Sequence, residues 1–167
     1  HGAGLELVDF TRPALYDPAR LLPAGIGLPG GLSRTARMAL AERLRGTIKT
    51  HVGYAVHAGR EGEARARRGD MTLIPHLRGV EAGALARRVK AGGALRLTLD
   101  SGHAEEVLAA NTAPLVAAID GRRSLADIAR AAGLDHFAFQ ARWRPVHAAL
   151  AGWGLLLYGT PGASATG

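Results

Sequence analysis

The chain has 167 residues, a formal charge of +7, and 47% hydrophobic against 21% charged residues. That balance excludes disorder along the whole chain and allows one sizeable core or two small ones. It contains no cysteine, which excludes a disulfide framework, thiolate metal ligands and thiol chemistry. No apolar run approaches the ~20 residues a membrane-spanning helix needs. The N-terminus lacks the order of a secretion signal, so a cytoplasmic setting with no membrane partner is expected.

In chain order, Leu5 to Phe10 reads as a short strand. Because the chain opens on His1 directly before it, a cut inside a longer protein is expected, with a catalytic part upstream. Thr11 to Leu32 carries Pro13, Pro18, Pro23 and Pro29 among several glycines; proline fixes φ and removes a donor, so the expectation is an irregular connection with at most one helical turn. Ser33 has the chemistry of an N-cap for a helix from Arg34 to Arg45, with Gly46 as its stop. The branched and aromatic content of Ile48 to Val56 predicts a strand with Val52, Tyr54 and Val56 on one side. The polar segment 60–70 predicts a linker or mobile loop.

Met71 to Pro75 predicts a short strand, and Glu81 to Ala91 a helix with Leu85 and Val89 inward. The alternation of Leu95, Leu97 and Leu99 with Arg96 and Thr98 gives the two-residue period of a half-buried strand. Pro114 suits the first turn of a helix through Ile119, and Asp120-Gly121 supplies a turn. Ser124 and Asp127 have the spacing of a capping box, opening a helix that Gly133 ends. Phe139, Trp143, Val146 and Leu150, at steps of four, three and four, mark the core face of a third helix from His136 to Ala151, with Pro145 a candidate kink. Leu155 to Tyr158 predicts a strand, and 161–167 a disordered tail.

The high charge invites a nucleic-acid reading. All but Lys49 and Lys90 of the 21 cationic residues are arginines, and alongside abundant Ala and Gly that is the composition of a GC-rich coding sequence. The cations between Arg34 and Arg68 face only Glu42, Glu61 and Glu63, so a local anion-attracting surface is one reading of that stretch. The histidines show no metal-ligand spacing such as H-E-x-x-H, and no serine lies in a G-x-S-x-G elbow. GIGLPG at Gly25 to Gly30 has the outline of a dinucleotide fingerprint, but it lacks a buried strand before it and contains Pro29. No catalytic, cofactor-binding or metal-binding residue is therefore assigned.

The pattern DGRRSLADIA at Asp120 to Ala129, the aromatic-bearing helix, and GLLLY at Gly154 to Tyr158 resemble a winged-helix module. With GLELVDFTRPALYDPARLLP at Gly4 to Pro23, RMALAERLRGTIKTHVGYAV at Arg37 to Val56 and LIPHLRGV at Leu73 to Val80, the chain resembles the C-terminal region of bacterial class I S-adenosylmethionine-dependent methyltransferases. The resemblance implies an α+β chain: a small mixed helix and strand region over 1–59, the linker at 60–70, and a winged-helix-like module over 71–160. It also implies an accessory or regulatory role, with S-adenosylmethionine bound by an N-terminal methyltransferase domain of the same polypeptide. Homodimerisation is a further expectation. Tyr16, His51 and Tyr54 are the residues expected to face a substrate. The alternatives are a nucleic-acid-binding winged helix, which the charge supports, and a peptide-binding module that adds a strand at an exposed edge.

Overall fold

The structure is a computed structural model that describes residues 3–23, 25–60, 64–67, 69–99 and 102–161. The fold is α+β, and the chain divides into two compact units, His1–Ala64 and Arg65–Gly167. Within the expected linker, residues 61–63 and 68 lie outside the described residues, as do 162–167 of the expected tail. No helix among the described residues is long and apolar enough to cross a membrane.

In the first unit, β1 (Leu5–Phe10) pairs antiparallel with β2 (Gly53–His57), with Leu5 opposite His57 and Phe10 opposite Gly53. The register shifts between Leu7 and Asp9, a bulge that lets Val8 turn into the interior. Two 3-10 turns follow β1, Pro13–Tyr16 and Pro18–Arg20, where one at most was expected. Each starts on a proline, whose missing donor is of no consequence in a first turn, and Asp17 caps the second by accepting from the backbone N–H of Ala19 at 3.1 Å.

Helix α1 (Arg34–Arg45) begins where the Ser33 hydroxyl accepts the Ala36 N–H at 3.1 Å, and ends at Gly46, whose φ of 64° is left-handed. Its only fully buried residue is Ala41, and Leu44 points outward. The strand expected over Ile48 to Val56 shortens to β2. β1 stops at Phe10, so beyond the single bond from Thr11 N–H to Val52 C=O at 2.9 Å there is no strand for 48–51 to join. Val52 and Tyr54, expected on one side of that strand, are 56% and 43% exposed.

The second unit carries the main core. Strand β3 (Ile74–Leu77) lies later than the expected 71–75 and pairs antiparallel with β6 (Leu156–Gly159), Ile74 opposite Gly159. Met71 and Leu73 instead give their carbonyls to the N–H groups of Ala126 and Leu125, tying this segment to the start of the helix that follows Ser124. Pro75 is tolerated because β3 has only one strand neighbour. Helix α2 (Ala82–Lys90) is capped by Glu81 and buries Leu85, Ala86 and Val89. Strand β4 (Leu95–Leu99) forms a hairpin with β5 (Gly102–Glu106), a strand the sequence reading missed.

Three helices complete the unit. Helix α3 (Ala113–Ala117) follows a 3-10 turn at Ala110–Thr112 and stops short of the expected Ile119. Helix α4 (Leu125–Ala131) has its capping box complete: Asp127 N–H reaches Ser124 Oγ at 3.2 Å, and Ser124 N–H reaches Asp127 Oδ2 at 3.1 Å. Helix α5 (His136–Gly152) starts on Asp135 and runs through Pro145 without a break. Proline removes the donor that would serve the Ala141 carbonyl, and both residues lie on the exposed side of the helix, open to solvent. Phe139, Trp143, Val146 and Leu150 are all buried, the face its spacing predicted. They join Leu115, Val116, Ile128 and Leu156 in one core.

Candidate functional site

Four segments of the first unit meet around Tyr16. The 3-10 turn Pro13–Tyr16 sets the phenol ring against Phe10 at the end of β1, with ring centroids 3.8 Å apart and planes 18° from parallel. The residues before β2 bring His51, whose Nδ1 lies 2.9 Å from Tyr16 Oη. Helix α1 supplies Glu42, with Oε1 3.4 Å from His51 Nε2. Arg45, one turn further along α1, donates to the Leu15 carbonyl at 3.4 Å and ties the helix to the turn.

The geometry dictates the protons. An ionised Glu42 accepts only, so His51 presents Nε2–H toward it; Nδ1 is then bare, and the Tyr16 hydroxyl donates. Burial raises the Tyr16 phenol above its ordinary range, and the negative charge of Glu42 raises it further. Tyr16 therefore stays an O–H donor at neutral pH. Carboxylate, imidazole and phenol form a chain along which a proton can pass. The side chains of His51 and Glu42 are 40% and 47% exposed, so solvent weakens their attraction.

Tyr16 also lines a cleft of ≈ 340 Å³ with Asp9, Asp17, Arg34, Arg37 and Met38. Arg34 binds Asp9 at 2.8 Å, and Arg37 approaches Asp17 at 3.8 Å. Two of the cations expected to make an anion-attracting surface are thus already matched by carboxylates from other segments, a pairing that local charge counting could not detect.

Of the three residues expected to face a substrate, Tyr16 and His51 are joined directly. Tyr54 sits on β2 opposite Asp9. Sequence reasoning missed Glu42 and Phe10, since neither stands in a recognisable spacing to Tyr16. The GIGLPG stretch follows the 3-10 turn Pro18–Arg20 and not a strand, with α1 starting only at Arg34. Among the described residues no group of three or more side chains could hold a metal ion.

A second polar cluster lies in the other unit. Trp143 Nε1–H donates to Tyr158 Oη at 3.0 Å, and His147 Nδ1 lies 2.9 Å from the same oxygen. Burial pushes the Tyr158 phenol up to about 12, against a smaller opposing effect from the Trp143 hydrogen bond. Tyr158 is thus protonated at neutral pH and donates to a bare His147 Nδ1 while accepting from the indole. Trp143 was expected as core alone; its ring is core, and its N–H organises this cluster.

No protein-family model matches the chain, and no curated protein matches it significantly.

Proposed function

We propose that this chain is the accessory C-terminal region of an S-adenosylmethionine-dependent methyltransferase, acting on the substrate side or as an interaction region. Its second unit is read as winged-helix-like, and the domain that binds S-adenosylmethionine as a separate body of the same polypeptide. The observation that carries this reading is the unfinished core of the first unit. Among its described residues the buried apolar ones are Val8, Ala14, Tyr16, Pro18 and Ala41, while Leu5 and Leu7 on β1 stay 49% and 45% exposed and Val52 is exposed beside β2. A unit of this size has little burial with which to offset its chain entropy, and an apolar two-stranded face gains by packing on another folded body.

Methyl transfer requires the acceptor to be aligned with the sulfonium methyl and water to be excluded, so a covering region can raise the rate through position alone. Tyr16 and His51 would supply the polar contacts on that side, Tyr16 as a donor held protonated and His51 as the group that keeps it oriented.

Hydrogen exchange on the complete gene product and on the 167-residue chain tests this, together with calorimetry using S-adenosylmethionine. The expected result is cofactor binding by the complete product only, with the amides of Leu5 to Phe10 protected more strongly in it. Micromolar cofactor binding by the 167-residue chain, or equal exchange of β1 in both proteins, would overturn the reading.

A further inference from the structure

We propose that the cleft of the second unit bounded by α5, the start of α4, β6 and residues 66, 67 and 69–73 binds a small planar organic anion, a ring bearing a carboxylate or phosphate. The site stands independently of the methyltransferase reading, which uses none of its residues. Its volume is ≈ 390 Å³, within the range of about 300–1,000 Å³ common for small-molecule sites. Its apolar floor is built from Leu73, Leu125 and Trp143, all buried, and Trp143 is fixed by its bond to Tyr158. A flat ring suits such a surface because it gains contact area at little entropic cost.

The charge of the lining gives the ligand its sign. Elsewhere in this unit Arg96, Arg123 and Arg130 each hold a carboxylate at 2.8 Å. Arg67 and Arg144, which line the cleft, have no carboxylate within ion-pair distance among the described residues. Asp70, the one acidic residue on the lining among the described residues, accepts from Thr72 N–H at 2.9 Å and from Thr72 Oγ1 at 2.6 Å. Arg67 contributes only the smallest of the influences on its ionisation.

Gln140 supports the same reading. Among the described residues its amide N–H reaches only Met71 Sδ, at 3.3 Å, a weak acceptor. Its carbonyl oxygen has no hydrogen-bond partner among the described residues. Two guanidiniums with no carboxylate partner among the described residues, and an under-used amide, around an apolar floor match a ligand with one anionic end and one flat face.

The test is a titration of the ¹⁵N-labelled chain followed at the indole N–H signals. Trp143 reports on the cleft, and Trp153, which donates to Glu106 at 2.7 Å, serves as the internal reference. Benzoate and phenyl phosphate are compared with benzylamine and inorganic phosphate. The expected result is a saturable Trp143 shift with at least one aromatic anion at about 1 mM or tighter, ordinary for a ligand of that size. Trp153 should stay still, and R67Q or R144Q should weaken binding about tenfold while R130Q leaves it unchanged. The proposal is overturned by no saturation at about 10 mM, by an equal response to benzylamine, by inorganic phosphate binding as tightly as the aromatic anions, or by unaltered affinity in both cleft variants. Retained dispersion of the amide spectrum in each variant shows that a loss of binding is not a loss of fold.

Discussion

The Tyr16 hydroxyl and His51 Nδ1 meet at 2.9 Å across 35 positions of sequence. That one bond joins the proline-rich turn after β1 to the segment leading into β2, and Glu42 on α1 completes the group at 3.4 Å from His51 Nε2. Tyr16→Phe removes the donor while keeping the ring on Phe10, and should cost about 1 kcal/mol. His51→Ala should cost a similar amount by leaving the phenol without its acceptor. Urea unfolding followed by exchange of the Leu5 to Phe10 amides measures both.

Glu42 acts on Tyr16 by charge. Its carboxylate disfavours phenolate, so Glu42→Gln should lower the Tyr16 titration while leaving Tyr158 in place. Titration of the tyrosine ring carbons by NMR separates Tyr16, Tyr54 and Tyr158. An unchanged Tyr16 curve would show that burial alone sets it.

Tyr158 predicts the alkaline limit of the second unit. Its folded value of about 12 lies above the ordinary tyrosine value of 10.0, so the folded state keeps its proton where the unfolded state loses it. Stability from this group is therefore complete below about pH 10 and is lost as pH rises toward 12. Two units correspond to about 2–3 kcal/mol. The urea midpoint of the wild type should fall more steeply over that interval than that of Tyr158→Phe.

Asp120 sets a limit on the acid side. It is held down to about 2, first by the backbone N–H of Arg123 and also by that of Arg122 and by the Arg123 side chain. A depressed carboxylate stabilises the fold above its unfolded value and loses that effect as pH falls. The advantage of wild type over Asp120→Asn should thus shrink between about pH 4 and pH 2, as followed by circular dichroism.

Gly121 combines two constraints. Its φ of 72° is left-handed, and a Cβ there would lie 2.9 Å from His76 Nδ1. Gly121→Ala should cost more than the ~1–2 kcal/mol expected of the backbone alone. Adding His76→Ala should recover the steric part only. Gly133, with φ 63° and open space around it, should show the backbone cost alone when substituted. Melting temperatures of the three variants decide this.

Local features were legible wherever a short-range rule operates. Ser33 and Gly46 bound α1 at the residues their chemistry predicts, and Ser124 with Asp127 forms the capping box their spacing predicts. The α5 stripe faces the core because a period near 3.6 leaves one helical face no other place to go. Strand ends were less legible, since a strand lasts only as long as its partner. β2 loses its first residues because β1 ends, and β3 begins late because the carbonyls of Met71 and Leu73 are taken by the start of α4.

By itself, then, the sequence determined the α+β character, the limits of α1, the capped start of α4 and the apolar face of α5, because caps, glycine stops and periodicity act within a few residues. Only the tertiary structure decided that Tyr16 finds His51 and Glu42, that Arg34 and Arg37 are matched by Asp9 and Asp17, and that Arg67 and Arg144 have no carboxylate at ion-pair distance among the described residues. Those relationships depend on distances between segments remote in the chain. Hydrogen bonds and ion pairs fade within a few ångströms, so the residue types alone could not reveal which of them would meet.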